Sequence, residues 1–406
     1  MSLRVCFKYS AMFATVAVAA FVISCGNSSS STSGGTGSGG GSSNLGGYAA
    51  GIGGAAQTGS AHYLVAIQVP GVTPFPTMIN SNGTLTQAKV TLPAYSVFNP
   101  MAMTAAIDPS GSFLYQAARP GLWTFTIDRS TGNLNEMSTS PYDDTVNFDA
   151  VAVDQTGKFV YAYDDSGNVY GYTIQSGTGQ LTPIAGSPFA SQASGEQFAV
   201  AGNRTAVSQD DKYLYVATVG GIMAYSIDAT TGALTMVNGS PFGASAGPGF
   251  ALAAPSSGFL YETIQSSSST PPGVYGYSID ANTGTLTQIS GSPFAPGCGG
   301  GDLTSPASGK FMFMAGCGMY QIDAGTGALT FLFKDPEAPN DGWSAFDPAS
   351  AFVWIVTTVQ PCFSCEVGVD AYQVDPNTGS MTLVPNSFFQ MTDTEVGDIQ
   401  AVAITH

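Results

Sequence analysis

From residue 61 onward, apolar and polar positions alternate in short runs of four to eight residues, and turn chemistry separates the runs. Alternation with a period of two puts one face of each run into a core and leaves the other half-solvated, which is the pattern of β-strands. An aromatic-aliphatic-aromatic triplet recurs as Phe113-Leu114-Tyr115, Phe159-Val160-Tyr161, Tyr213-Leu214-Tyr215, Phe259-Leu260-Tyr261, Phe311-Met312-Phe313 and Phe352-Val353-Trp354. A turn glycine followed two residues later by Leu or Met keeps phase with it, at Gly83, Gly132, Gly179, Gly232, Gly284, Gly327 and Gly379. The mean spacing is about 49 residues, the range in which a fixed period signals a solenoid, propeller or array.

Two further anchors fill out the unit. One is an alternating strand that ends in Asp, as in Tyr225-Ser226-Ile227-Asp228; the other is Ser-Pro-aromatic, beginning at Ser140, Ser187, Ser240 and Ser292. In the second repeat the strands are expected at about Ala102–Ile107, Ser112–Ala117, Leu122–Ile127 and Leu134–Thr139. Asp108-Pro109-Ser110-Gly111 and Asp128-Arg129-Ser130-Thr131-Gly132 supply the turns: Gly takes positive φ, and Asp or Ser side chains bond nearby amides. Four strands per repeat and seven repeats predict an all-β chain, a seven-bladed β-propeller of four-stranded antiparallel blades. The last segment, Gly397 to Ile404, matches the first strand of a repeat, and the first repeat has none of its own. The C-terminal strand is therefore expected to complete the first blade and close the ring, giving one domain over residues 61–406.

The segment ahead of the repeats reads differently. Arg4 and Lys8 precede an apolar run, Ala11 to Ile23, too short to span a bilayer, and the run ends in Val22-Ile23-Ser24-Cys25. Residues 1–24 are expected to be a lipoprotein signal peptide, and Cys25 the lipidated first residue of the mature chain. Residues 26–60 are rich in Ser and Gly and carry no charge, so residues 25–60 form the lipidated Cys and its flexible tether. The expected place is the cell envelope, lipid-anchored in the periplasm or on the outer membrane, as a monomer. In an exported chain the four remaining cysteines, Cys298, Cys317, Cys362 and Cys365, are expected as disulfides, with Cys298–Cys317 and the local Cys362–Cys365 as plausible pairs.

Charge narrows the function. The 406 residues hold 10 Lys+Arg against 27 Asp+Glu, a net of −17. That excludes a basic footprint for nucleic acid. On the rim formed by the loops between strands two and three and the blade-to-blade connections, fourteen acids are expected to face three bases, Arg119, Arg204 and Lys334. Asp149, Arg204, Asp302, Asp341 and Asp398 fall at the starts of innermost strands. Converging carboxylates suit a hard cation such as Ca²⁺, with Asp149, Asp302 and Asp398 as the metal ligands. Asp149, Arg204, Asp302 and Asp341 are the catalytic candidates, a carboxylate activating water and Arg204 stabilising an oxyanion. The two histidines, His62 and His406, fall at the closure seam on the opposite rim.

The units Asp108–Tyr115, Asp228–Leu234, Asp280–Leu286, Gly186–Phe189, Gly239–Phe242 and Gly291–Phe294 together resemble the lactonase family of seven-bladed propellers, the group that includes bacterial 6-phosphogluconolactonases. The resemblance spans about residues 61–406 and implies a lactone hydrolase. Few bases reach the mouth, and a phosphorylated substrate wants a cluster of them, so a small neutral or cationic ligand fits better. The alternative is a propeller without catalysis that binds a ligand or an envelope protein.

Overall fold

The computed structural model describes residues 63–404, apart from 70–73, 89, 92–100, 191–203, 219, 244–248, 257, 265–270, 299–300, 307, 337–343, 348–350, 360–365 and 391–397. All of them belong to the compact unit Leu45–His406. The described elements are strands and turns, with no helix among them. They form an all-β propeller of seven sheets.

Six of the sheets are four consecutive antiparallel strands or contain such a set. The set in the third blade is typical: Phe148–Val153, Phe159–Asp164, Asn168–Ile174 and Leu181–Pro183. The first sheet combines Tyr63–Val69, Pro74–Ile79 and Leu85–Gln87 with Asp398–Ile404, which pairs antiparallel with Tyr63–Val69. The second adds Val90–Thr91, parallel to the outer strand Leu134–Glu136. Its other strands are Met101–Ile107, Phe113–Arg119 and Leu122–Ile127. The innermost strands contact one another in a cycle: Asp398–Ile404, Met101–Ile107, Phe148–Val153, Thr205–Val207, Gly249–Ser256, Leu303–Thr304, Ser344–Phe346, and back to Asp398–Ile404.

The triplet and the turn glycine prove to be two halves of one contact. The first aromatic of each triplet lies over the turn glycine of the next blade. A Cβ on Gly232 would come within 2.5 Å of Phe159 Cδ1, and one on Gly83 within 2.7 Å of Phe352. These glycines also sit at φ of +72° and +85°. The third aromatic donates to the same glycine's carbonyl: Tyr115 to Gly179 (3.1 Å), Tyr161 to Gly232 (2.9 Å), Tyr215 to Gly284 (3.2 Å) and Tyr261 to Gly327 (2.6 Å). Trp354 Nε1 does the same to Gly83, 271 residues away, at 2.9 Å. In the sixth blade the third aromatic is Phe313, which has no hydroxyl to donate. Apolar clusters fill the spaces between blades, so the core is distributed around the ring and not gathered at its centre.

The Ser-Pro-aromatic unit ends the outer strand early in the blades that carry it. In the second blade the outer strand stops at Glu136, three residues short of the expected Thr139. The chain then turns, with Ser140 N–H donating to Met137 O at 2.9 Å. The serine hydroxyl takes over the ladder bond, accepting from Thr124 N–H at 3.0 Å, and the aromatic returns as a bridge, Leu122 with Tyr142. Ser187, Ser240 and Ser292 repeat this toward Gly171, Ala224 and Gly276 at 3.0–3.1 Å. The seventh blade keeps the device without proline: Ser387 accepts from Ala371 at 3.2 Å and Phe389 pairs with Val369. Asn386 takes the positive φ (59°) that Gly takes elsewhere. The sixth blade lacks it, and its outer strand Leu329–Lys334 runs on for six residues.

Candidate functional site

Around the inner strands, the sequence candidates separate into two groups on non-adjacent blades. The first joins blades two, three and four. Asp149 is the second residue of inner strand Phe148–Val153 and is buried. Arg119 closes the second strand of the preceding blade, and its Nε donates to Asp149 Oδ1 at 2.8 Å while Nη2 bonds the same oxygen. The local chain explains the reach. Arg119-Pro120-Gly121 makes a tight hairpin, Gly121 at φ +96°, and Gly121 N–H donates to Val146 O in the connection that leads to Asp149 at 2.7 Å. Arg204, directly before inner strand Thr205–Val207, is buried at 2% exposure.

Electrostatics ties the three together. Burial pushes the Asp149 carboxyl above the ordinary carboxylate range, while Arg119 and, more weakly, Arg204 pull it back and Asp165 adds to the rise. Asp149 Oδ2 accepts no hydrogen bond. Asp149 is thus a buried carboxylate with one oxygen clamped, the other uncommitted, and a second guanidinium within electrostatic range.

The second group joins blades six and seven. Asp302 precedes inner strand Leu303–Thr304 and is fully buried. Burial alone raises its carboxyl well above the ordinary range; the amides of Leu303 and Ser344 lie on its side and oppose the rise, but neither reaches hydrogen-bond geometry. Burial of this kind favours the protonated, neutral form of a carboxyl. Its surroundings are fixed covalently: the Cys298–Cys317 disulfide (Cα–Cα 6.1 Å) ties the incoming connection to the next hairpin of the same blade. Gly316 N–H also donates to Asp335 Oδ2 at 2.9 Å.

Other acids expected at the mouth serve as local acceptors. Asp164 accepts from Asn168 N–H at 2.6 Å and from Ser166 N–H at 3.1 Å. Asp165 accepts from Asn147 Nδ2 at 3.0 Å, and Asp143 accepts from the Tyr172 hydroxyl. Among the described residues no three Asp, Glu, Cys or His side chains gather in a way that could hold a metal ion. The side chains of Asp341 and Asp398 lie outside the described residues, as do Cys25, Cys362, Cys365, His62 and His406. Asp128, Asp228, Asp280, Asp323 and Asp375 on the opposite rim cap their turns; bonds from Ser, Thr and backbone donors hold each below the ordinary carboxylate range.

One buried acid escaped the sequence reading. Glu262 follows the fifth-blade triplet in strand Phe259–Ile264, opposite Tyr275, and its carboxyl is pushed up to about 8 by burial. Its one bond is a long one, from Tyr277 Oη at 3.4 Å. The signal was available: the same position carries Gln116, Ala162, Val216, Met314 and Ile355 in the other blades with a triplet.

Comparison with known proteins bears on the fold. The family model of seven-bladed β-propeller lactonases matches residues 58–200. A candidate 6-phosphogluconolactonase from Bacteroides uniformis has the same architecture, with a TM-score of 0.62 at 17% identity over 85% of this chain and 99% of its own. The fold is the β-propeller of these proteins. The periplasmic gluconolactonase PpgL of Pseudomonas aeruginosa aligns with a TM-score of 0.57 at 16% identity, over 86% of this chain and 99% of that one. No curated protein matches in sequence. The likeness carried by the turn and strand units is thus matched by the family model over residues 58–200 and by the fold beyond it, and in this propeller Arg119, Asp149 and Arg204 come from three successive blades around the inner strands.

Proposed function

We propose that this chain is an envelope-anchored seven-bladed propeller that hydrolyses a small lactone without a phosphate group. The observation that carries the reading is the buried Asp149 carboxylate, held by Arg119 and faced electrostatically by Arg204. Ring opening of a lactone needs a base for the attacking water and a positive group for the oxyanion that forms at the carbonyl. Asp149 Oδ2 is suited to accept the water proton, and its raised pKa makes it the stronger base once ionised. Arg204 is suited to stabilise the oxyanion. The proton then passes to the ring oxygen as the acyl–oxygen bond breaks, leaving a hydroxy acid.

Closure of seven blades is supported by the cycle of inner strands, by the pairing of Asp398–Ile404 with Tyr63–Val69, and by the Trp354–Gly83 bond. Anchoring is supported by the charge, apolar run and Cys25 in that order, and by the tether after them. A phosphate dianion is disfavoured because Arg119 is already committed to Asp149 in a chain of net charge −17.

A binding propeller without turnover is the second reading, favoured by the same ion pair, since a clamped carboxylate is also a good structural strut. The test is turnover of δ-gluconolactone and short-chain lactones by the purified chain, with and without Ca²⁺ or Mg²⁺, alongside Asp149→Asn and Arg204→Gln. Loss of at least 100-fold in kcat/KM in both variants supports hydrolysis. No turnover of any lactone, with ligand binding that still depends on Asp149, establishes the second reading.

A further inference from the structure

Four large apolar side chains stand exposed among the described residues, and all four belong to the outer wall of blades six and seven: Phe331 (54%), Phe333 (40%), Leu383 (49%) and Phe388 (37%). We infer that this wall is the face the propeller lays on the lipid bilayer. The inference rests on the anchored reading above.

Isolated exposed hydrophobes are ordinary, but a group confined to one side of a molecule marks a contact surface. Its cause is local. Blade six lacks the Ser-Pro-aromatic unit, so Leu329–Lys334 continues along the blade edge where the other outer strands turn away, and it carries Phe331 and Phe333 outward. Leu332 of the same strand packs into the cluster between blades six and seven and beside Gly379, which joins this edge to the Met381–Leu383 edge, while Phe331 lies edge-on to Tyr320 on the other face of the strand. Exposed aromatic side chains without a described pocket suit a deformable planar phase.

Charge points the same way. Neither Leu329–Lys334 nor Met381 to Gln390 contains an acid, in a chain of 27 acids, and Lys334 is exposed at the edge of the patch. The neighbouring Asp335 is buried and bonded to Gly316. The two segments that carry the patch thus present no acid for anionic headgroups to repel. Aromatic side chains are favoured at the bilayer interface. The tether completes the argument. Read as the Gly/Ser-rich tether that the sequence leads one to expect, the 37 residues between Cys25 and Tyr63 would reach about 35 Å root-mean-square. They enter blade one, whose inner strand touches that of blade seven. A lipid at Cys25 would therefore hold the propeller at high local concentration beside the membrane, where a modest patch is a sufficient second attachment.

The test uses the full mature chain with Cys25→Ser, so that it carries no lipid, and phosphatidylcholine vesicles with brominated acyl chains. Phe331→Trp places a reporter in the patch; Thr182→Trp places one on the exposed outer strand of blade three, across the ring. Quenching of the Phe331→Trp reporter but not the Thr182→Trp reporter is expected, with at least 10-fold weaker vesicle flotation for Phe331→Lys/Phe333→Lys. Equal quenching of both reporters, or of neither, overturns the inference. So does a blue shift of the Phe331→Trp emission that grows with protein concentration in the absence of vesicles, which assigns the wall to a second copy of the chain. Mass analysis of Cys25 in the wild-type chain separates the two readings. An unmodified Cys25 with flotation that still depends on Phe331 and Phe333 removes the anchor and keeps the patch.

Discussion

Gly177 and Gly179 occupy the same turn and provide an internal comparison. Both have positive φ, +80° and +70°, but a Cβ on Gly177 meets nothing within 4 Å, whereas one on Gly179 lies within 2.6 Å of Phe113 Cε1 and Cγ in the preceding blade. Alanine at either position should cost about 1–2 kcal/mol for the left-handed backbone. At Gly179 it must also displace the Phe113 ring, which is nearly buried, and overpacking of this kind adds about 1–3 kcal/mol. Gly179→Ala should therefore be the more destabilising by about 1–3 kcal/mol. Equilibrium urea unfolding, followed by intrinsic fluorescence and converted to free energy with a common m-value, measures the difference. A cycle with Phe113→Ala sharpens it, because removing the ring should abolish the excess cost at Gly179 and leave Gly177 unchanged. Equal costs for the two alanines, or additivity in the cycle, would refute the claim that the turn glycine is set by the neighbouring aromatic.

The interblade hydroxyl bonds give a second expectation: Tyr261→Phe should lose about 1 kcal/mol by removing the bond to Gly327 O, and Phe313→Tyr, which restores the hydroxyl the sixth blade lacks, should gain about as much in the same unfolding assay. Ser240→Ala leaves the Ala224 amide without its acceptor and should cost about 1–3 kcal/mol, with Ser387→Ala matching it in blade seven, read as lowered urea midpoints. Glu262 predicts a pH dependence. Its folded carboxyl near 8 lies above the ordinary value of 4.5, so between those values the unfolded chain loses the proton that the folded chain keeps, and stability falls as pH rises. Glu262→Gln should therefore be more stable than wild type by a few kcal/mol at pH 9 and show no advantage at pH 4. Asp211, raised to about 6 by burial, adds a slope of the same sign to both proteins and cancels in the comparison. An unchanged alkaline slope in the Gln variant would reject the assignment.

The propeller was legible because its anchors are local and repeated. Triplet, Asp turn and turn glycine each satisfy a backbone requirement within a few residues, and their phase survives divergence between blades. Ser387 was hidden because proline and glycine, the residues that advertise the unit, are replaced there by Phe388 and Asn386, although the hydroxyl bond and the φ are kept. The site was harder to read. Placing Asp149 and Arg204 at inner strands needed only strand order, but the partner of Asp149 turned out to be Arg119, brought in by the Gly121–Val146 tie across two blades. Counting acids on the mouth rim does not tell which of them face a ligand, because whether Asp164 or Asp335 faces a ligand or its own loop depends on backbone donors that composition does not display. Glu262 broke the pattern of its column, yet a single strand gave no reason to weigh one departure above another.

The aromatic-over-glycine contact also bears on how such a ring diverges. Among the described residues, six blades present a ring to the glycine turn of their successor, and the paired surfaces are chemically alike from blade to blade. A duplicated or deleted unit therefore meets a compatible neighbour on both sides, and the count of units can change by recombination without inventing a new joint. Selection then acts on the glycine and the ring as one inherited pair while the rest of each unit drifts. The Phe313 joint, which has kept the ring stacking of Phe311 on Gly379 and lost the hydroxyl, records a step of that drift.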